Sequence, residues 1–467
     1  MLKLNSTNYF YFILFLLRKN PLLHYSYSII KQSIMTKLLI ILALVGGSCC
    51  ASAQMRTITL DEMFAIADTV ESSLCASKLK ADAAAELVGD SKKGRLPDIN
   101  TSLTVGYLGD GYIWDRDFSD GMAVDIPHFG TNFAIEIKQV IYAGGTVKKA
   151  VTFAQKGHEM ADIDYQLNRQ QVRFSLVGSY LNLYKAINQI EVYDQNIVLV
   201  EKLIEHLNEK KEQGTVLRNA LTRYELQHKN LKLQRQKLEN TMLIFNHQLV
   251  TSLKLNPETK IFPDTTLISN IIDIGSEQDW QQLALNSSPI LQEAKVEVEL
   301  AELQKDMLYT SYRPVVALVA QDHLDAPVTI DIPAKDKNFN YWFVGVALSY
   351  NISSLYKSNN KIRSAKIGVE QSNEHLTVAK QQINNAIQES FIRLGEAYNE
   401  VEVQTANLEL ARQNYEVTNN RYINDLALMT DMLDASNAML TAQLDLKNAQ
   451  INLLFSYLKL KYLCGQI

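Results

Sequence analysis

The chain has 467 residues, enough for a large core or a long extended assembly, and 46 Lys and Arg against 51 Asp and Glu leave a formal net charge of -5. That mildly acidic balance excludes nucleic-acid binding as the main business. A mean hydropathy of -0.11 excludes a bundle of membrane-spanning helices, and beyond the N-terminus no stretch reaches the ~20 apolar residues that such a helix needs.

The N-terminus has two layers. Met35-Thr36-Lys37 opens a short positive region, Leu38 to Val45 is an apolar run, and Ala51-Ser52-Ala53 is a small-x-small cleavage site before Gln54. This pattern predicts a secretory signal peptide over 35–53 and makes residues 1–34 an upstream extension outside the mature protein. Two other readings stay open. One is an N-terminal anchor helix; the other is a lipoprotein acylated at Cys49 or Cys50, for which Gly46-Gly47-Ser48 is a poor lead-in. Of four cysteines, Cys75 and Cys464 survive cleavage, too few for a disulfide framework or a zinc site.

The mature chain reads as two copies of one unit. The first covers 57–255 and the second 277–465, each running helix, strand, strand, long helix, turn, helix. Residues 256–276 between them, with Asn256-Pro257 and Phe262-Pro263-Asp264, have the turn chemistry of a linker. In the first copy Ser72-Ser73-Leu74 opens a helix that ends near Arg95-Leu96-Pro97. In the second, Ser288-Pro289-Ile290-Leu291 opens one that ends near Tyr312-Arg313-Pro314. Each closing proline cannot continue a helix and pushes its predecessor toward extended geometry.

Runs of alternating residues follow each proline. Ile99, Leu103, Val105 and Tyr107 oppose Asn100, Ser102, Thr104 and Gly106; Phe133, Ile135, Ile137 and Ile141 oppose Asn132, Glu136 and Lys138. Trp342, Val344, Val346, Leu348 and Tyr350 oppose Gly345, Ala347, Ser349 and Asn351, while the run from Val315 to Leu324 is less regular. Period two over ~10 residues suits a tilted membrane-crossing strand with lipid on one side and water on the other, and equally an ordinary half-buried sheet. The loops inside the hairpins, Gly109 to Gly130 and Asp325 to Asn340, are polar and long.

Helices dominate. Residues 146–212 and 357–424 lack proline, and each segment reaches ~100 Å if it is one continuous helix. The helices that follow carry seams with steps of four and three. One runs Leu217, Leu221, Tyr224, His228, Leu231 and on to Leu249; the other runs Leu428, Met432, Ala435, Met439, Ala442 and on to Leu460. A second stripe through Leu433, Leu440, Leu444, Ile451, Leu454 and Leu458 implies neighbours on two sides, as in a wall of helices.

Four strands cannot close a barrel, and an open sheet in lipid leaves its edges unsatisfied, so membrane-spanning strands would require several chains to share one barrel. The sequence resembles the TolC family of outer-membrane efflux proteins over residues 57–465. The resemblance rests on Ile58-Thr59-Leu60-Asp61-Glu62, Arg95-Leu96-Pro97 and Gln139-Val140-Ile141-Tyr142-Ala143-Gly144-Gly145. It also rests on Thr430-Asp431-Met432-Leu433-Asp434-Ala435-Ser436, Ala442-Gln443 and Leu458-Lys459-Leu460-Lys461-Tyr462. It implies a mainly α fold with a small β part: a periplasmic α-barrel of long coiled-coil-like helices, continuous with a β-barrel shared by a homotrimer, four strands per chain. It further implies a passive exit duct in the outer membrane, in contact with outer-membrane lipid, docking to a periplasmic adaptor and an inner-membrane transporter of an efflux or type I secretion system.

No catalytic motif is present, and no cofactor or metal is expected. The residues that stand out are Asp431 and Asp434, three apart on one helix face just after the turn at Asn424-Asp425. By the resemblance, acids at these positions ring a closed periplasmic aperture, where crowded carboxylates would filter charge and help gate entry. The alternative is that acids in a first helical turn favour the macrodipole. Tyr422 matches a family tyrosine near the same constriction, or else packs within the coiled coil. Ala427 stands where some members carry an arginine that locks the aperture. In the first copy, where Gly214 occupies the matching turn, the acidic positions become Ala220 and Arg223, and Arg223 is a candidate partner for an acid across the aperture. Two other classes compete with the duct: a non-channel periplasmic helical scaffold, and a secreted hydrolase using Asp431 and Asp434.

Overall fold

Helix, proline, strand occurs in that order twice along the chain, at Pro97 and at Pro314. In the computed structural model, which describes residues 55–212, 218–264, 274–330, 334–424 and 426–467, helix α1 (Leu60–Val70) and helix α2 (Ser72–Lys93) precede Pro97 and strand β2 (Asp98–Tyr107). The expected extension over 1–34, the signal peptide over 35–53, Gly214 and Asp425 lie outside the described residues, as does the side chain of Ala220.

Two units are present. The described part of the smaller comprises residues 55–57 and 255–262 and carries most of a two-stranded sheet of β1 (Met55–Ile58) and β6 (Lys260–Pro263). Strand β6 falls inside the stretch expected as a linker over 256–276. Four residues are too few for a period of two to show against the flanking turn residues.

The larger unit holds the rest. After β2 come β3 (Gly111–Ile113), β4 (Met122–Val124), β5 (Phe129–Tyr142), α3 (Thr146–Glu212) and α4 (Arg218–Ser252). The second copy continues with α5 (Glu277–Ser287), α6 (Pro289–Thr310), β7 (Val315–Ala326), β8 (Phe339–Ser349), α7 (Ser354–Lys357), α8 (Asn359–Ile423) and α9 (Met429–Leu463). The four long strands form one antiparallel sheet in the order β2-β5-β7-β8, so the two hairpins lie side by side. No helix among the described residues is long and apolar enough to cross a membrane.

Register sorts the side chains into two faces. Ile99 pairs with Ile137, Leu103 with Phe133 and Tyr107 with Phe129. Ile137 pairs with Ala320 and Phe133 with Leu324, while Ala320 pairs with Val344 and Leu318 with Val346. Paired residues share a face, so one side is mainly apolar, interrupted by Thr101, Thr131 and the hydrogen-bonded pair Asp322 and Asn340; every residue of β2 is exposed, and Leu103, Val346 and Leu348 are 66 %, 66 % and 71 % exposed. An apolar sheet face that no helix covers suits hydrocarbon rather than water. The expected alternation in β5 extends as far as Val140. There a register irregularity leaves Ile141 without a partner of its own on β7, and Tyr142 pairs with Val316.

The helical part packs as layers. Helices α5, α6, α8 and α9 enclose Ala284, Leu291, Ile383, Ile387, Leu394, Leu460 and Cys464. Burying a leucine fully is worth about 1.5–3 kcal/mol relative to exposure. Burial pushes the Cys464 thiol up to about 11, which keeps it protonated and inert, and it is free, as is the exposed Cys75. Between α3 and α9 two neutral amide pairs accompany aromatic stacking of Phe174 on Tyr462: Gln189 Nε2 donates to Asn448 Oδ1 at 2.9 Å and Asn196 Nδ2 to Gln443 Oε1 at 3.1 Å.

Polar clamps tie the first helix down. Asp68 on α1 accepts from Arg169 at 2.7 Å and from Arg173, whose guanidinium also sits 5.1 Å from the centroid of the Phe64 ring. Burial alone would raise the Asp68 carboxyl, but the hydrogen bonds and charges of the two arginines outweigh it and hold the group below its ordinary value of 3.8. The Tyr180 hydroxyl, pushed up to about 12 by burial, donates to Ile58 O at 2.7 Å and accepts from the Asp264 N–H at 2.7 Å.

At the sheet-to-helix junction the chain needs glycine. Gly144 and Gly145 take φ of +64° and +88°, and a Cβ on Gly144 would lie 2.7 Å from Arg313 Cβ, whose guanidinium donates to Gly144 O at 3.1 Å. Gly144→Ala is therefore expected to cost about 1–3 kcal/mol, seen as a lower unfolding temperature. Gly89→Ala, in the interior of α2 with open space around it, is expected to gain about 0.5–1 kcal/mol. The clamp at Asp68 carries a pH signature. Its depressed folded pKa contributes stability above the ordinary carboxylate pKa of 3.8, and that contribution is lost as pH falls through the lower folded value. Asp68→Asn should flatten this acid limb of the stability profile, measured as thermal unfolding between neutral pH and about pH 2.

Candidate functional site

Two places concentrate unusual chemistry: the tips where α3 and α4 of the first copy meet α8 and α9 of the second, and the sheet.

At the tips, Ile197, Val200 and Leu207 of α3 and Leu221, Tyr224 and Leu231 of α4 form a buried cluster against which Met429, Leu433 and Leu440 of α9 pack. The first turns of α9 are thus seated on the first copy's helix pair. Gln227 Nε2 donates to Asn437 Oδ1 across that contact at 2.9 Å. Met432 is fully buried, so it and Met429 serve as core rather than as metal ligands.

The two acids behave differently. The Asp431 carboxylate accepts a hydrogen bond from the Leu428 N–H at 3.0 Å, reaching back to satisfy a donor that the helix start leaves open. Leucine has no oxygen to return the favour, so this is half of a capping box. Asp434 lies one turn further along and is exposed, as Asp431 is. Capping and dipole account for Asp431; they do not account for Asp434.

Tyr422 is 7 % exposed, and the Lys210 ammonium lies 5.8 Å from its ring centroid. Beside it Tyr224 is fully buried, its hydroxyl makes no hydrogen bond among the described residues, and burial, then the neighbouring Tyr422 and Tyr415, raise its pKa. Tyr224 was legible only as a seam position; that its hydroxyl is orphaned required the packing. Arg223 is exposed and lines a groove of about 420 Å³ with Tyr193, Leu433, Asn437 and Leu440. The fold therefore brings Arg223 to the helix that carries Asp431 and Asp434. Among the described residues no ion pair joins it to either acid within one chain.

Among the described residues no three His, Cys, Asp or Glu side chains gather as a metal site. The sheet is the other place: one face apolar, the other carrying Asn100, Ser102, Thr104, Asn132, Glu136, Lys138 and Gln321, with both outer strands open along one edge.

A four-stranded wall joined to long paired helices is a fold shared with solved outer-membrane channels. A model of the family described as outer membrane efflux protein matches residues 280–466. The outer membrane protein TolC of Escherichia coli (strain K12) is 19% identical over 446 residues, covering 92% of this chain and 86% of that protein. The outer membrane protein VceC of Vibrio cholerae superposes with a TM-score of 0.71 at 16% identity, covering 87% of this chain and 96% of that one. The CmeC outer membrane channel of Campylobacter jejuni superposes with a TM-score of 0.70 at 14% identity, covering 87% and 85%. Over residues 280–466 the chain thus resembles outer membrane efflux proteins, and along most of its length it is similar to TolC. The mainly α fold with a small β part is that of these channels.

Asp431→Ala removes the hydrogen bond to Leu428 N–H and should lower stability by about 0.5–2 kcal/mol, whereas Asp434→Ala should leave it within about 0.5 kcal/mol. Thermal unfolding of the two single variants separates them.

Proposed function

We propose that this protein is a passive exit duct. Three copies close one barrel in the outer membrane, the helices continue as a periplasmic tube, and a periplasmic adaptor joins that tube to an inner-membrane transporter that supplies the energy. The observation that carries this reading is the open four-stranded sheet, apolar on one uncovered face and unpaired along β2 and β8. Pairing β8 of one copy with β2 of the next satisfies both edges, and rotational symmetry repeats the pairing until the ring closes. The polar face then lines water, and the protein contributes a path rather than a reaction. The two-copy organisation, 57–255 and 277–465 on either side of a connecting segment, belongs to the same proposal, as does removal of a signal peptide over 35–53.

At the narrow end we propose that Asp431 and Asp434 of each copy form the aperture's acidic ring, with Tyr422 packed behind it and Arg223 the candidate partner for an acid of a neighbouring copy. Six carboxylates about one axis attract cations and repel one another. In this arrangement Asp431 serves both the helix start and the ring, and Asp434 the ring alone.

The test is outer-membrane fractionation followed by mass measurement of the folded, detergent-extracted complex, with single-channel recording on the same material. A trimer-sized outer-membrane particle is expected, and Asp431→Ala/Asp434→Ala should raise conductance and reduce block by divalent cations. A soluble periplasmic monomer would defeat the duct and favour a helical scaffold. A trimer whose pore behaviour ignores the double substitution would sink the acidic ring.

A further inference from the structure

The water-side face of the sheet has an exception to its polarity. On β8 the residues sharing that face are Phe339, Tyr341 and Phe343, opposite Asp325, His323 and Gln321 of β7. They occupy the half of the strand next to the loops, away from the helices. Their rings form one layer along the wall. His323 and Tyr341 stack with centroids 5.0 Å apart and planes 6° from parallel, and Phe339 and Tyr341 are 5.3 Å apart at 30°. Phe343 lies over Gly345 so closely that a Cβ there would come within 2.5 Å of the ring's Cζ. The glycine lets the ring lie down along the strand.

These rings are not packed away. Phe339, Tyr341 and Phe343 are 43 %, 41 % and 55 % exposed, so part of each ring remains accessible beside the stacking contacts, on the side of the sheet that does not meet lipid. Carboxylates share that face with Lys138, and Lys335 and Lys337 lie in the loop that enters β8. Asp325 accepts a hydrogen bond from the Asn132 amide on the same face, and Glu136 lies on that face opposite Gln321. The loop at this end carries Asp110, Asp115, Asp117, Asp120 and Asp125 against Arg116. Flat electron-rich faces beside carboxylates attract cations, and the attraction grows when the cation is itself planar and stacks with an offset.

We propose that Phe339, Tyr341, Phe343 and His323, with Asp325 beside them, form a binding strip for a planar aromatic cation on the channel side of the barrel's outer half. This rests on the exit-duct reading, which makes that face water-lined. The strip is a wall rather than a cage. A flat cation covers two or three rings, while a compact aliphatic cation touches one. A weak site of this kind, repeated once per copy, would hold such a solute near the exit and slow its return.

The test is a fluorescence titration of ethidium against the full-length, folded, detergent-extracted protein, with detergent alone as the baseline and the mass of the particle measured on the same sample. Saturable binding is expected, displaced by proflavine and not by tetraethylammonium at the same ionic strength. Tyr341→Leu and Phe343→Leu should each weaken binding about threefold to tenfold. The competition on the unaltered chain does not depend on either variant folding. An outer-membrane oligomer that binds no ethidium overturns this inference alone. So does one whose binding ignores both substitutions, or one from which tetraethylammonium displaces ethidium as well as proflavine does. A particle that is not an outer-membrane oligomer overturns the duct reading and this inference with it.

Discussion

A sheet that meets hydrocarbon has to pair every backbone N–H and C=O, because no water is present to stand in for a missing partner. The four strands of this chain meet that demand by pairing with one another, with an irregularity between Val140 and Tyr142, and the outer edges of β2 and β8 stay open. Their exposed face adds the second half of the constraint. Leu103, Val346 and Leu348 would be an aggregation hazard on a soluble protein, and they become an asset only where lipid covers them. The rest follows from closing the edges. Closure needs copies of the same chain, copies about an axis make a conduit, and a conduit puts whatever lies on that axis in charge of passage.

The helices turn that constraint into length. Single helices over 146–212 and 359–423 carry the chain away from the sheet and back, and the shorter α4 and α9 thicken the wall where two helices alone would be marginal. Several kinds of contact join the first half of the chain to the second. Apolar burial around Tyr224 gives cohesion, the amide pairs between α3 and α9 fix register, and Lys149–Asp306 and Lys156–Glu299 pair α3 with α6. Within the first half, Asp68 holds α1 to Arg169 and Arg173.

Much of this was legible in the amino-acid order because it depends on local chemistry. Pro97 and Pro314 end helices wherever they occur, Gly144-Gly145 permits positive φ, and a period of two separates Ile99 from Asn100 without reference to anything distant. The long helices were legible for the same reason, since 67 and 65 residues without a breaker leave few alternatives. Strand β6 was missed because four residues carry no period. The irregularity between Val140 and Tyr142 was missed because counting residues does not reveal it.

The sequence by itself thus determined the class of fold, the order of elements, which strand faces are apolar, and that Asp431 and Asp434 share a helix face. Only the tertiary structure decided what those residues touch. It separated Asp431, tied to the Leu428 N–H, from Asp434, and it buried Tyr224 with no partner for its hydroxyl among the described residues. It also brought Arg223 of the first copy to the helix that opens at Met429. On the sheet it gathered Phe339, Tyr341 and Phe343 with His323 on the polar face, where the alternation of β8 alone showed an apolar run. Periodicity fixes a residue's direction from its own backbone. Contact between residues far apart in the chain depends on register and packing, which no local pattern encodes.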